Sequence, residues 1–263
     1  MWCSAAHPYF QMIVFHSDLD NTIIYSYKHD IGESKRCVEI YQGREVSFLT
    51  DRTYELLKQV SQKTLIIPTT TRTVEQYRRI DLGIGPFQYV LTCNGGVLLV
   101  NGEEEEKWYE ESLALIADCK EEMKKAMELM DKDPARNFEL RYIKELFLFT
   151  KSLEPDKSVE MLRAQLDFRK VDVFRNGVKV YVVPKELNKG KALIRMKERL
   201  DSDVVIAAGD SEFDIPMLDC ADFAIAPAKL QCKRREDDTL TKVDEQELFS
   251  ESVLKRVLRI ADS

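Results

Sequence analysis

Residues 12–22 read MIVFHSDLDNT, and the fold of the chain turns on how this stretch is understood. Its apolar start, residues 12–15, has the length and composition of a short buried strand, and Asp18-Leu19-Asp20-Asn21-Thr22 carries the turn that ends it. Two carboxylates therefore stand just past the carboxyl end of a strand, where the loops of an open α/β sheet form a ligand crevice. Residues two apart on an extended segment point the same way, so Asp18 and Asp20 can converge on one ligand. A surface turn rich in Asp and Asn has the same composition, and this pentapeptide alone does not choose between the two.

Residues 36–50 alternate apolar and polar side chains about Tyr41-Gln42-Gly43-Arg44, the pattern of a β-hairpin. Thr50 or Asp51 then caps a helix to about residue 62. Residues 64–68 (TLIIP) read as a buried strand ended by proline, followed by Thr69-Thr70-Thr71-Arg72 and a helix over 73–80. Threonines between a strand end and a helix start offer hydroxyls and N–H groups to an anion, and they serve equally as N-caps. A strand at 88–92 leads into Asn94-Gly95-Gly96, where glycine permits a tight turn and close approach of a ligand, and an apolar segment follows at 97–100.

An acidic run at 103–106 marks a change of composition. Beyond it we expect one long amphipathic helix over 111–131, strands at 138–142 and 145–150, a helix over 156–166, and strands at 171–174 and 179–183 joined by Arg175-Asn176-Gly177. Helix-strand-strand occurs twice, a unit that packs two helices on one face of an antiparallel sheet. Past Pro184 the α/β rhythm returns. Asn188-Lys189-Gly190-Lys191 opens a helix to about 200, residues 203–208 (DVVIAA) form a buried strand, and Asp210-Ser211-Glu212-Phe213-Asp214 follows its end. A short strand at 222–226 and a closing helix at 247–261 complete the chain.

The 263 residues, 44% of them apolar, suffice for one large domain or a core with an insertion. Thirty-nine Lys and Arg against 46 Asp and Glu give a net charge of −7, which argues against a nucleic-acid or anionic-membrane partner. The basic cluster Lys233-Arg234-Arg235 lies beside Glu236-Asp237-Asp238 and reads as a solvated loop. The six cysteines show no metal-ligand spacing, and reduced thiols in a cytoplasmic protein are expected. No apolar run reaches the roughly 18 residues of a membrane span. Residues 1–11 lack the basic start and long apolar stretch of a signal peptide and read as an N-terminal extension.

Strand ends thus carry two Asp, a Thr, an Asn, and a further Asp pair, with a lysine at a helix start. Three or four carboxylates in one crevice repel one another unless a hard cation such as Mg2+ holds them. Lysine and threonine beside them supply what a phosphate needs, and a carboxylate next to a bound phosphoryl group can attack it. These residues resemble the haloacid dehalogenase-like phosphatases, whose motifs DxDxT/V, Ser or Thr, Lys, and GDxxxD are matched in order by Asp18 and Asp20, Thr70, Lys189, and Asp210 and Asp214. The resemblance implies a Rossmann-like, doubly wound parallel-sheet core (1–106 and 184–263) with an inserted α+β cap (107–183) similar to that of the Cof-type, sucrose-phosphate phosphatase and phosphomannomutase branch. It also implies Asp18 as nucleophile, Asp20 as general acid/base, Thr70 as phosphate ligand, and Lys189 as the cation orienting both. Mg2+ would be held by Asp18, the Asp20 carbonyl and Asp210, with Asp214 nearby, and Thr71, Arg72, Asn94 and Gly95 are further substrate-binding candidates. Asn21 and Phe213 depart from the pattern, which more often has Gly and Asn there. The expected activity is hydrolysis of a small phosphorylated metabolite, a sugar phosphate first, by a monomer or homodimer; a sugar phosphomutase and a non-catalytic binding protein are the alternatives.

Overall fold

The computed structural model describes residues 11–232, 234, 237, 239–244 and 246–263. Residues 1–10 of the expected N-terminal extension and most of the charged cluster at 233–238 lie outside the described residues. In chain order β1 (Ile13–Ser17) is followed by β2 (Tyr25–Ser26), β3 (Lys35–Tyr41), β4 (Arg44–Thr50), α1 (Asp51–Ser61), β5 (Leu65–Pro68) and α2 (Val74–Tyr77). Next come β6 (Tyr89–Thr92), β7 (Val97–Val100), β8 (Glu103–Glu104), α3 (Glu106–Leu115), α4 (Lys120–Asp131), β9 (Arg141–Ile143), β10 (Phe147–Lys151) and α5 (Pro155–Gln165). β11 (Val171–Asn176), β12 (Lys179–Pro184), α6 (Lys189–Leu200), β13 (Val204–Ala208), α7 (Ile215–Cys220), β14 (Phe223–Pro227), β15 (Leu240–Val243) and α8 (Phe249–Ala261) complete the fold.

The central sheet has the order β15-β14-β13-β1-β5 and is parallel throughout. Its strands are apolar on both faces because both faces are covered. Phe15 and Ile206 pack with Leu56, Leu57 and Val60 of α1 and Val253, Leu254 and Val257 of α8. On the other face Val205 and Ala207 meet Leu193 of α6 and Met217 and Leu218 of α7. A doubly wound α/β core is therefore present, and β1 lies inside it, between β13 and β5.

A second, antiparallel sheet has the order β11-β12-β10-β9. One face carries Leu148, Val171, Val173, Val180 and Val182 against Met123, Ala126 and Met130 of α4 and Val159 and Leu162 of α5. Phe149, Phe174 and Tyr181 alternate with these and face away from the helices. Helix-strand-strand, twice, is the observed order, with one correction: the single helix expected over 111–131 is two. At Ile116 the backbone leaves helical geometry (φ −107°, ψ 11°), and a turn over Ala117–Cys119 redirects the chain. The break lets Trp108 of α3 bury with Val14, Ile67 and Met196 in the core while α4 packs on the antiparallel sheet.

Two other expectations change. The helix expected over 73–80 is the single turn α2, started by a capping box between Thr73 and Gln76. The strand β15, not foreseen, extends the core sheet beyond β14. Among the described residues no helix is long and apolar enough to cross a membrane, and the described cysteines are free.

Candidate active site

Because β1 and β13 run side by side, Ser17 and Ala208 are register partners, and the Asp18 N–H donates to the Ala208 carbonyl at 2.9 Å. This bond joins the two acidic loops. Lys189 enters from the first turn of α6, where the Asn188 side chain caps the helix by accepting the Lys191 N–H. Its ammonium, 1% exposed, donates to Asp18 Oδ1 at 2.5 Å and to Asp214 Oδ1 at 2.6 Å. The other oxygen of Asp214 accepts the Asp210 N–H (3.1 Å), the Ser211 N–H (3.0 Å) and the Ser211 hydroxyl (2.9 Å). Gly209 is what lets Asp214 lie so close to its own loop, since a Cβ there would stand 2.3 Å from the Asp214 carboxyl carbon.

Burial raises the Asp18 pKa well above the usual carboxylate range; Lys189 opposes the shift, and Asp214 and Asp210 add to it. Burial, then Asp214, pushes Asp210 up to about 7. Lys189 is the counterpart: burial alone would lower its pKa, but Asp18 and Asp214 raise it. With all groups ionised, three carboxylates against one ammonium leave a net charge of −2 in a buried place, a cost that a divalent cation removes. One oxygen from each of Asp18, Asp210 and Asp214 lies within 4.8 Å of the others, so the donor set also fits a hard cation in its spacing. Both Asp214 oxygens already hold protein donors, which leaves Asp210 and the second oxygen of Asp18, met among the described residues by the Thr22 hydroxyl alone at 3.4 Å, as the readier ligands.

The Asp20 carboxylate lies outside this cluster. It takes a two-pronged contact from Arg72, with Nε and Nη2 each at 2.7 Å. The remaining Arg72 nitrogen donates to Glu39 at 2.9 Å, and Glu39 is also held by Arg79 (2.9 Å) and the Ser47 hydroxyl (2.7 Å). Burial works against the Arg72 charge, yet Asp20 and Glu39 keep its pKa above the ordinary value. As a metal ligand Asp20 is thus left with its backbone carbonyl, and Arg72, named from sequence as a substrate contact, has its donors occupied by protein acids.

The threonine loop follows the end of β5. Thr70 is fully buried, its hydroxyl accepting the Arg72 N–H at 3.2 Å and its carbonyl accepting the Asn94 N–H at 3.0 Å. Thr71, with Arg72 and Thr73 after it, lines the adjoining cavity. Asn94 is also buried and donates its side-chain amide to the Leu187 carbonyl at 2.8 Å. Gly95, with φ +90°, packs against α6, where a Cβ would come 2.4 Å from that of Ala192; its place is explained by helix packing. Asn21 stands at φ 59°, left-handed geometry that asparagine tolerates.

A cavity of about 530 Å3 opens between Asp20, Arg72, Arg79 and Glu39 on one side and the helix-free face of the antiparallel sheet, with Arg141, Phe149, Lys179 and Tyr181, on the other. Glu39, Arg79, Lys179 and Tyr181 were not singled out from sequence. They belong to no motif, and only the alternation of the strands carrying Lys179 and Tyr181 hints that both share a face. Phe213, in the loop between Asp210 and Asp214, packs its ring on Phe174 and Tyr181 with centroids 4.6 and 5.4 Å away.

The family model for haloacid dehalogenase-like hydrolases matches residues 101–229. Over these residues, just under half of the chain, this protein is similar to that family. Among curated proteins it is similar to a phosphoglycolate phosphatase of Methanopyrus kandleri, 29% identical over 140 residues that make up 51% of this chain and 57% of that protein. It is also similar to a phosphoglycolate phosphatase of Methanococcoides burtonii, 31% identical over 150 residues, 55% of this chain and 61% of that one. The matches thus span about three-fifths of these two relatives. Among solved structures, the sucrose-phosphatase of Synechocystis sp. PCC6803 in complex with sucrose and phosphate superposes with a TM-score of 0.66 at 17% identity, covering 96% of this chain and 98% of that one. At that identity the likeness is one of fold: a parallel core sheet with an added antiparallel sheet.

Proposed function

We propose that this haloacid dehalogenase-like chain is a Mg2+-dependent phosphomonoester hydrolase acting on a small phosphorylated metabolite. The observation that carries the reading is the buried Asp18–Lys189–Asp214 contact with Asp210 beside it, a net negative cluster at the ends of β1 and β13. Asp18, Asp210 and the Asp20 carbonyl would hold Mg2+, with Asp214 behind them. When bound, the ion supplies positive charge that lets Asp18 stay ionised next to an anionic phosphoryl group.

Lys189 holds the Asp18 carboxylate in place, and one of the carboxylate oxygens attacks phosphorus. As the bond from phosphorus to the leaving oxygen breaks, Asp20 gives that oxygen a proton; to reach it, Asp20 must give up part of its Arg72 contact. Asp20 then takes a proton from water, whose oxygen attacks the aspartyl phosphate and frees Asp18 and inorganic phosphate. We assign residues 107–183 to a cap, with α3 as its stem, because the helix-free sheet face forms one wall of the cavity. Closing over substrate, the cap would exclude water and select the leaving group.

Phosphate release from a sugar-phosphate panel, with Mg2+ and with chelator, tests the reading. Turnover that stops on chelation and returns with Mg2+ is expected; full turnover by metal-free protein contradicts it.

A further inference from the structure

The cavity carries positive charge that phosphoryl transfer does not use. Five cations line it, Lys28, Arg72, Arg79, Arg141 and Lys179, against the carboxylates of Asp20 and Glu39, in a chain whose net charge is −7. The difference, 5 − 2, is three positive charges, and one of these, on Arg141, is paired with Glu139 outside the lining, which leaves two. Both carboxylates are already paired, Asp20 with Arg72 and Glu39 with Arg72 and Arg79. Asp18, Thr70 and Lys189, the groups assigned to the phosphoryl end, are not among the lining residues. The surplus therefore faces whatever the phosphoryl group is attached to.

Lys179 is the cation best placed to use it. On β12 it shares a face with Tyr181, and among the described residues it makes no ion pair with a carboxylate. Lys179 is an exposed residue that lines the same cavity as Asp20 and Arg72; desolvation at the cavity wall lowers its pKa, Asp20 opposes the shift, and Arg72 adds to it. An ammonium that lines a cavity without a carboxylate partner is open to an incoming anion and is stabilised by it. Beside it the rings of Tyr181 and Phe149, centroids 5.2 Å apart, supply an apolar wall. A volume of about 530 Å3 lies in the range of sites that enclose ligands much larger than a two-carbon acid.

We propose that the substrate's leaving group carries a second anionic group, a carboxylate or a further phosphate, which Lys179 binds while Tyr181 and Phe149 cover the carbon skeleton. The inference rests on the phosphatase reading and names its substrate class. Neutral sugar phosphates are then the poorer substrates of the same site.

The test is phosphate release with Mg2+ on two matched pairs, glucose 6-phosphate against 6-phosphogluconate and fructose 6-phosphate against fructose 1,6-bisphosphate, with p-nitrophenyl phosphate as the common reference. At least one anionic member is expected to exceed its neutral partner in kcat/KM by about tenfold, the size of one charge-assisted contact. The pair that responds tells carboxylate from phosphate. Lys179→Met should cut that ratio about tenfold, chiefly through KM, and Lys179→Arg should keep it. Equal or better turnover of both neutral members, or a ratio that Lys179→Met leaves alone, overturns the inference while p-nitrophenyl phosphate turnover leaves the phosphatase reading standing. If no ester is hydrolysed, p-nitrophenyl phosphate included, both fall.

Discussion

Four donors converge on the two oxygens of Asp214: the Lys189 ammonium on one, and two backbone N–H groups and the Ser211 hydroxyl on the other. An amide there would have one acceptor oxygen in place of two and would bring its own N–H groups toward donors. Asp214→Asn, tested in Mg2+ buffer, should cost about 3 kcal/mol of unfolding free energy, the scale of breaking a buried ion pair, and lower kcat/KM about a hundredfold. Denaturant melts and phosphate release measure the two effects; unchanged stability would show that the Lys189 contact carries no weight. The spacing of Asp210 and Asp214 is visible in the sequence because strand ends and helix starts are. That Asp214 spends both oxygens on its own protein is not visible, because it depends on Gly209 and on the angle at which α6 arrives. Asn94 and Gly95 show the same limit: their sequence announces a tight turn, and only packing against Leu187 and Ala192 shows what the turn is for.

Among the elements, the hairpin β3–β4 separates pattern from placement. Alternation and the Gln42-Gly43 turn, both residues at positive φ, are enough to expect it. A bulge, with register shifts on both sides of Glu39, then turns this one carboxylate inward between Arg72 and Arg79, and alternation cannot foretell a bulge. The same reason hid the break at Ile116, where amphipathic periodicity runs on through a change of packing partner. Burial would raise the Glu39 pKa, but the Ser47 hydroxyl and the two guanidiniums bring it below the ordinary 4.5. Its contribution to stability is therefore present above pH 4.5 and is lost as pH falls through the lowered value. Glu39→Gln should destabilise the protein by about 2–4 kcal/mol at pH 7, flatten that acid loss, and slow turnover, because Arg72, no longer held on its other side, lets the Asp20 carboxylate drift from its place. Thermal melts from pH 7 to 3 and kcat would show it; melts that match wild type at every pH would contradict it.

At the scale of the molecule, a parallel sheet that collects acids at its strand ends faces an antiparallel sheet that brings aromatic rings and cations, and Phe213 joins them. The family resemblance has Asn at this position; here the ring packs on Phe174 and Tyr181. Phe213→Asn should weaken that junction by about 1–3 kcal/mol, two aromatic pairs' worth, and speed hydrogen exchange in β11 and β12. Exchange equal to wild type would mean that the sheets are held together elsewhere. Both sheets could be foreseen from apolar runs and alternation, since those report which faces are covered. Their mutual orientation could not, because it rests on contacts such as this one between residues far apart in the chain. The central claim is that Asp18 is the acceptor of a phosphoryl group in a cation-dependent site, and the most direct measurement is phosphate release from p-nitrophenyl phosphate by folded wild type and folded Asp18→Asn, each with Mg2+ and with chelator. Turnover by wild type in Mg2+ alone, falling at least about a thousandfold in Asp18→Asn, is the predicted result; wild-type rates from folded Asp18→Asn would contradict it.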